Sequence, residues 1–204
     1  MAGSDVKAVF ITADTNAVDA ASVAAAARPN TDFTIDGTDA SGGTATFVAG
    51  RIITCTTAGT GDSGKTVTIT GTDVNGDSQT EVITLTGSAT SHAGTKYFRT
   101  VTAAEASAQP AANVSIGMAG GSADVIFAGR SRLKGAYIVN SATAGTLDFL
   151  TTSPTGTSIM KLSTVASATV TRDVHIPEEG VLFTAGVYIQ YTVSTFTTIT
   201  AFHA

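Results

Sequence analysis

The sequence predicts an all-β protein: two small antiparallel β-domains, a sandwich followed by a jelly-roll-like barrel, behind an N-terminal arm. Three observations carry this. Thr, Ala, Gly, Ser and Val fill alternating runs such as Lys65-Thr-Val-Thr-Ile-Thr-Gly71, and β-branched residues in alternation suit a half-buried strand. Turn formers recur at short intervals, with Asn75-Gly76 the strongest short hairpin signal among them. Only 13% of the residues are charged, against about 25% in an average globular domain.

The elements follow in chain order. Residues 1–30 read as an arm. It holds one apolar run, Val6 to Ile11, and then Asp19-Ala-Ala-Ser-Val-Ala-Ala-Ala-Ala-Arg28 before Pro29. Alanine favours helix, Asp suits a helix start and Pro ends one, so a short helix is expected there. From residue 31 to 128 the pattern is strand and turn. Phe33 and Ile35 alternate, and short strands follow at 46–48 and 52–56. The segments 65–74 and 77–86 flank Asn75-Gly76. A two-residue loop there would set Val67 opposite Thr84 and Ile69 opposite Val82. Further strands are expected at 96–102, 113–117 and 125–127, with 103–112 a loop. The glycine-rich run Gly117-Met-Ala-Gly-Gly-Ser122 softens the chain before a second domain, 129–204. Seven strands are expected there: 133–140, 146–150, 159–163, 168–175, 181–184, 187–193 and 197–203.

Composition narrows the function. The chain has three His, one Cys, no Trp and a net charge of −5. Catalysis needs titratable groups or metals held together, and this chain has few; catalytic, metal-binding and cofactor-binding sites are not expected. Nucleic acid is not an expected partner, because no cluster of Lys and Arg forms a phosphate-binding stripe. A membrane is not expected either: no apolar stretch is long enough to span one, and no basic leader precedes an apolar run. Cys55 sits in a strand-like run and reads as a small buried side chain. Cores rich in Ala and Val bury little area per residue, which favours self-association.

Several motifs resemble chemistry. Gly59-Thr-Gly-Asp-Ser-Gly64-Lys65-Thr66 fits the phosphate-loop pattern in full. That loop works only before a helix, whose N-terminus supplies amides and positive potential, and strand sequence follows instead. Gly61-Asp-Ser-Gly64 matches the nucleophile motif of chymotrypsin-like proteases, yet no His precedes Ser63. Asp73-Val-Asn-Gly-Asp77 resembles the opening of a calcium loop, but Ser78 and Thr84 occupy the places of its Gly and Glu. His175-Ile-Pro-Glu-Glu179 brings His175 near Glu178 and Glu179 and reads as a turn with solvated carboxylates. Asn113-Val-Ser115 is a sequon without a secretion signal. Tyr137, Tyr188 and Tyr191 read as core or interface rings, with a sugar platform the alternative.

In the second half, Arg132-Leu-Lys-Gly-Ala-Tyr-Ile-Val-Asn140, Ala144-Gly-Thr-Leu-Asp-Phe149, Gly156-Thr-Ser-Ile-Met-Lys-Leu162, Ile176-Pro-Glu-Glu-Gly-Val-Leu-Phe183 and Gly186-Val-Tyr-Ile189 together resemble the small β-domain virion proteins of tailed bacteriophages, among them capsid decoration (cement) proteins. The first half is similar to β-sandwich modules of the same virions through Val67-Thr-Ile-Thr-Gly-Thr-Asp-Val-Asn-Gly-Asp77, Glu81-Val-Ile-Thr-Leu85 and Tyr97-Phe-Arg-Thr-Val101. The resemblance implies a non-enzymatic homotrimer on the outer capsid surface of the virion. It would be assembled in the host cytoplasm and bridge neighbouring copies of the major capsid protein. The alternative is a tail or fibre component that binds a host surface glycan. The arm at 1–30 is expected to drape over a neighbour.

Overall fold

The structure is a computed structural model that describes residues 6–12, 19–88, 90–119, 123–166, 171–192 and 195–204. The expected all-β class is what it shows. Among the described residues sixteen strands run in chain order: β1 (Lys7–Thr12), β2 (Asp19–Ala27), β3 (Ala40–Ser41), β4 (Thr44–Thr57), β5 (Thr66–Thr72), β6 (Ser78–Thr84), β7 (Ser91–Ala106), β8 (Val114–Met118), β9 (Ala123–Phe127), β10 (Ser131–Asn140), β11 (Gly145–Thr151), β12 (Thr157–Thr164), β13 (Thr171–His175), β14 (Val181–Phe183), β15 (Val187–Tyr191) and β16 (Phe196–His203). The chain divides into two compact units, one of Val18–Gly120 and one of Met1–Ala17 with Gly121–Ala204. The second unit thus starts eight residues before the expected 129. The segment read as an arm is shared, β1 falling in one unit and β2 in the other.

In the unit Val18–Gly120 the strands pair in the order β2-β8-β4-β7-β5-β6, all antiparallel, with β3 added to β4. The long strand β7 serves two ladders. Its first half pairs with β4, as Arg51↔Phe98 and Cys55↔His92, and its second half with β5, as Val67↔Ala106 and Ile69↔Ala104. The β5–β6 hairpin curls back over the first half of β7, so that Lys96 Nζ reaches the carbonyl of Thr80 at 2.7 Å. Between these layers Phe47, Ile53, Ile69, Leu85, Phe98 and Ile116 form one buried cluster. This arrangement is sandwich-like.

The short helix expected from Asp19 to Arg28 is instead β2. Two close approaches explain why. A Cβ added at Gly117 would overlap the carbonyl oxygen of Asp19, and one added at Gly37 would overlap those of Ala21 and Ser22. The β2 backbone is therefore gripped on both sides at a spacing that a helix and its side chains could not enter. The carbonyls of Val23 and Ser22 accept the amides of Gly37 and Asp39 at 3.0 and 2.9 Å. Val23 and Ala24 are fully buried. An isolated helix of this length is marginal in water, and tertiary pairing outweighs alanine's propensity.

A second correction concerns the hairpin. Its strands pair as Val67↔Ile83, Ile69↔Glu81 and Thr72↔Ser78, one residue away from the expected register. The turn has five residues, 73–77, because Asp73 Oδ1 accepts the amides of Asn75 at 2.8 Å and Asp77 at 3.0 Å. A side-chain-bonded Asp turn of this kind competes with the two-residue turn. The slip turns Val82 outward and Ile83 inward. The expected breaks also shift: 46–48 and 52–56 merge into β4 across an irregularity between Thr46 and Arg51, and β7 runs on through 103–106.

The other unit holds two antiparallel sheets, one ordered β1-β16-β10-β13 with β14 also on β10, the other β12-β11-β15-β9. Among the described residues neither closes on itself, so the barrel is an open two-sheet arrangement. Leu133, Ile138, Phe183 and Ile199 of the first and Leu147, Phe149 and Ile189 of the second are fully buried. Aromatic contacts join the sheets. Phe127 lies 5.4 Å from His203, and Tyr191 meets Phe196 edge-on at 6.2 Å between ring centres.

Candidate functional site

The motifs that resemble chemistry become turn staples. In the phosphate-loop-like segment, Asp62 is fully buried and accepts the amide of Ala111 at 2.6 Å and Lys65 Nζ at 3.0 Å. Lys65 Nζ also donates to the carbonyl of Gln109 at 2.8 Å. The lysine that a nucleotide would need is thus bound to loop 107–113, and strand β5 follows where a helix is required. Burial alone would raise the Asp62 pKa. The amide of Ala111, Lys65 and the amide of Ala112 outweigh it and hold the carboxyl below the usual range. Ser63 lies exposed in the same turn.

The calcium-like segment is the five-residue hairpin turn described above, with Asp73 Oδ1 occupied by two amides. Cys55 stands opposite His92 on adjacent strands. Burial, with the charge of Glu81 adding, pushes its thiol up to about 12, so the sulfur is a neutral core atom rather than a nucleophile. Asn113 is exposed, and its carbonyl accepts the amide of Ala58 at 2.9 Å. Among the described residues no three His, Cys, Asp or Glu side chains gather as a metal site.

One polar staple escaped the sequence reading. Glu81 is buried on the inward face of β6, and its Oε1 accepts the amide and hydroxyl of Thr95 at 2.6 and 2.9 Å and the amide of Lys96 at 3.1 Å. The signal was present, since Glu81 shares parity with Ile83 and Leu85, but it becomes visible only in the observed register.

The surface with the most to offer is the outer face of the sheet β1-β16-β10-β13. Cross-strand rows run Phe10↔Thr200↔Tyr137↔Asp173 and Ala8↔Phe202↔Gly135↔His175. Phe10 is 53% exposed and Val6 45%. A groove of about 620 Å³ opens here between Val6 and Phe202 on one side and Asp173, His175 and Glu178 on the other. Its floor is Gly135, where a Cβ would lie 2.7 Å from the carbonyl oxygen of Val174. At its end Lys134 Nζ donates to the carbonyl of Glu178 at 3.1 Å, and Glu178 adopts a left-handed backbone, φ 57°, which costs a non-glycine residue energy. His175 and Glu178 of the sequence motif both line this groove. The side chain of Glu179 is instead paired with Arg132 at 2.8 Å.

Of the three tyrosines, Tyr191 is buried and donates to Asp124 Oδ2 at 2.7 Å. Tyr188 is half-buried, and desolvation raises its phenol pKa. Tyr137 is half-buried on the outer face. Comparison with protein-family models, curated proteins and solved structures returned no match.

Proposed function

We propose that this chain is a non-enzymatic structural protein of a tailed-phage virion, a decoration protein that staples neighbouring copies of the major capsid protein from outside. The observation that carries the reading is the division of labour among its polar groups. Asp62, Lys65, Asp73 and Glu81 are spent on holding loops, while a sheet face bearing Val6 and Phe10 is left open to solvent. A protein arranged in this way offers surface rather than reactive groups. Many weak contacts to a repeating shell sum through effective concentration, and a ligand that binds only the assembled lattice stabilises it by mass action. Co-sedimentation of the purified chain with expanded, DNA-emptied capsids of its phage tests the reading. Saturable binding supports it, and absence of binding overturns it.

The groove over Gly135 favours a second reading, a tail or fibre component that binds host glycan. Phe202 offers an apolar wall, Asp173 and Glu178 acceptors, and His175 a ring nitrogen. Glycan-array binding that is lost in Phe202→Ala would select this reading over the first.

A further inference from the structure

Among the described residues β1 pairs with β16 alone, and none of them pairs with its other edge at Ala8 or Phe10. Ladder alternation shows which groups face that edge. Ala204 exchanges both backbone hydrogen bonds with Arg132, at 2.9 and 3.0 Å. In an antiparallel ladder such exchange alternates along a strand. His203, Ala201 and Ile199 therefore direct their backbone groups to β1, where they pair with Lys7, Val9 and Ile11. Ala8 and Phe10 then point their amides and carbonyls outward, away from β16.

An open strand edge is a template for another strand, and proteins usually guard it with charge. The other outer strands are guarded in one way or another: β13 carries Arg172 and Asp173, β12 carries Lys161 and β6 the inward Glu81, β2 is covered by the amides of Gly37 and Asp39, and the uncharged β3 and β14 are only two and three residues long. The core of β1, Ala8-Val-Phe-Ile-Thr12, has no charge. Neither β1 nor β16 contains Asp or Glu, in a chain with 16 of them. Neither strand therefore sets a carboxylate against a second acidic copy.

We infer that β1 pairs antiparallel with β1 of a second copy of this chain, about a two-fold axis at Val9, joining their five-stranded sheets. The strand's own sequence permits it. This register sets Phe10 opposite Ala8 of the second copy, so each exposed ring covers a small residue, and the edge-facing groups of the two residues exchange hydrogen bonds. Lys7 falls opposite Ile11, with no like charges facing. The two-fold contact is isologous, unlike the threefold assembly that the family resemblance implies. It supplies a copy-to-copy link for the proposed shell protein and so deepens that reading.

Sedimentation equilibrium of the full chain from about 1 µM to about 1 mM tests the contact, beside Ala8→Pro and Phe10→Lys. Proline at 8 removes an edge-directed amide without taking a bond from β16, and circular dichroism checks that the fold is kept. The expected result is a species of twice the 20.4 kDa chain mass that both variants convert to monomer. A wild-type chain that stays monomeric throughout, or an oligomer that folded Ala8→Pro leaves intact, overturns the inference. The two readings fail separately. Capsid binding by a monomeric wild type would sink the pairing and leave the shell role, and a β1-dependent dimer that ignores capsids would do the reverse.

Discussion

Asp62 receives the amide of Ala111 at 2.6 Å, tying the turn before β5 to the loop that leads into β8. The same carboxylate holds Lys65 at 3.0 Å. Asp62→Ala strips a buried acceptor from both donors and is expected to cost about 1–3 kcal/mol in urea unfolding. Asp62→Asn, which keeps a neutral acceptor for Ala111, should cost less. Because the folded carboxyl lies below its ordinary range, the clasp is at full strength above the unfolded-state value of about 3.9 and is lost as pH falls through the folded value beneath it. Wild type should therefore lose more stability than Asp62→Asn when titrated downward below about pH 4.

The hairpin register predicts a contrast between neighbours. Val82 is 58% exposed and Ile83 is 3% exposed. Val82→Lys should change stability by no more than about 0.5 kcal/mol, and Ile83→Lys, which forces an unpaired charge into the core, by more than about 4 kcal/mol. Equal effects in chemical denaturation would refute the pairing of Val67 with Ile83.

The grip on β2 gives a third. Gly117→Ala puts a methyl group into the Asp19 carbonyl and should cost at least about 1–3 kcal/mol as overpacking. Gly43, in an open turn with nothing near its missing Cβ, carries only the strain of its left-handed backbone. Thermal melts should rank Gly117→Ala well below Gly43→Ala.

Cys55 gives a fourth. It is fully buried, with a thiol raised to about 12. A thiol-specific reagent should label the native protein only as fast as the unit opens, and labelling should become immediate in denaturant. Rapid native labelling would contradict the packing of β4 against β7.

Most strands were legible because alternation and turn residues are local. The second unit shows this best, where the spans expected at 133–140, 146–150 and 159–163 match β10, β11 and β12 closely. The helix expected at 19–28 was overturned by distant partners, and the hairpin turn by a side chain close by in sequence. No property of residues 19–28 announces that Gly37 and Gly117 will close on their backbone. Asn75-Gly76 looks like a two-residue turn until Asp73 is seen to hold the amides of Asn75 and Asp77. The groove was half legible, since His175 and Glu178 were singled out, but its wall Phe202 lies on another strand and its floor Gly135 is an ordinary residue in sequence.

The undivided course of β7 has a mechanical consequence. Since Phe98 is bound to Arg51 and Ala104 to Ile69 along one continuous strand, tension entering at either end loads two rows of hydrogen bonds in shear rather than opening one like a zip. A load applied along β7 is therefore shared between both ladders of this unit.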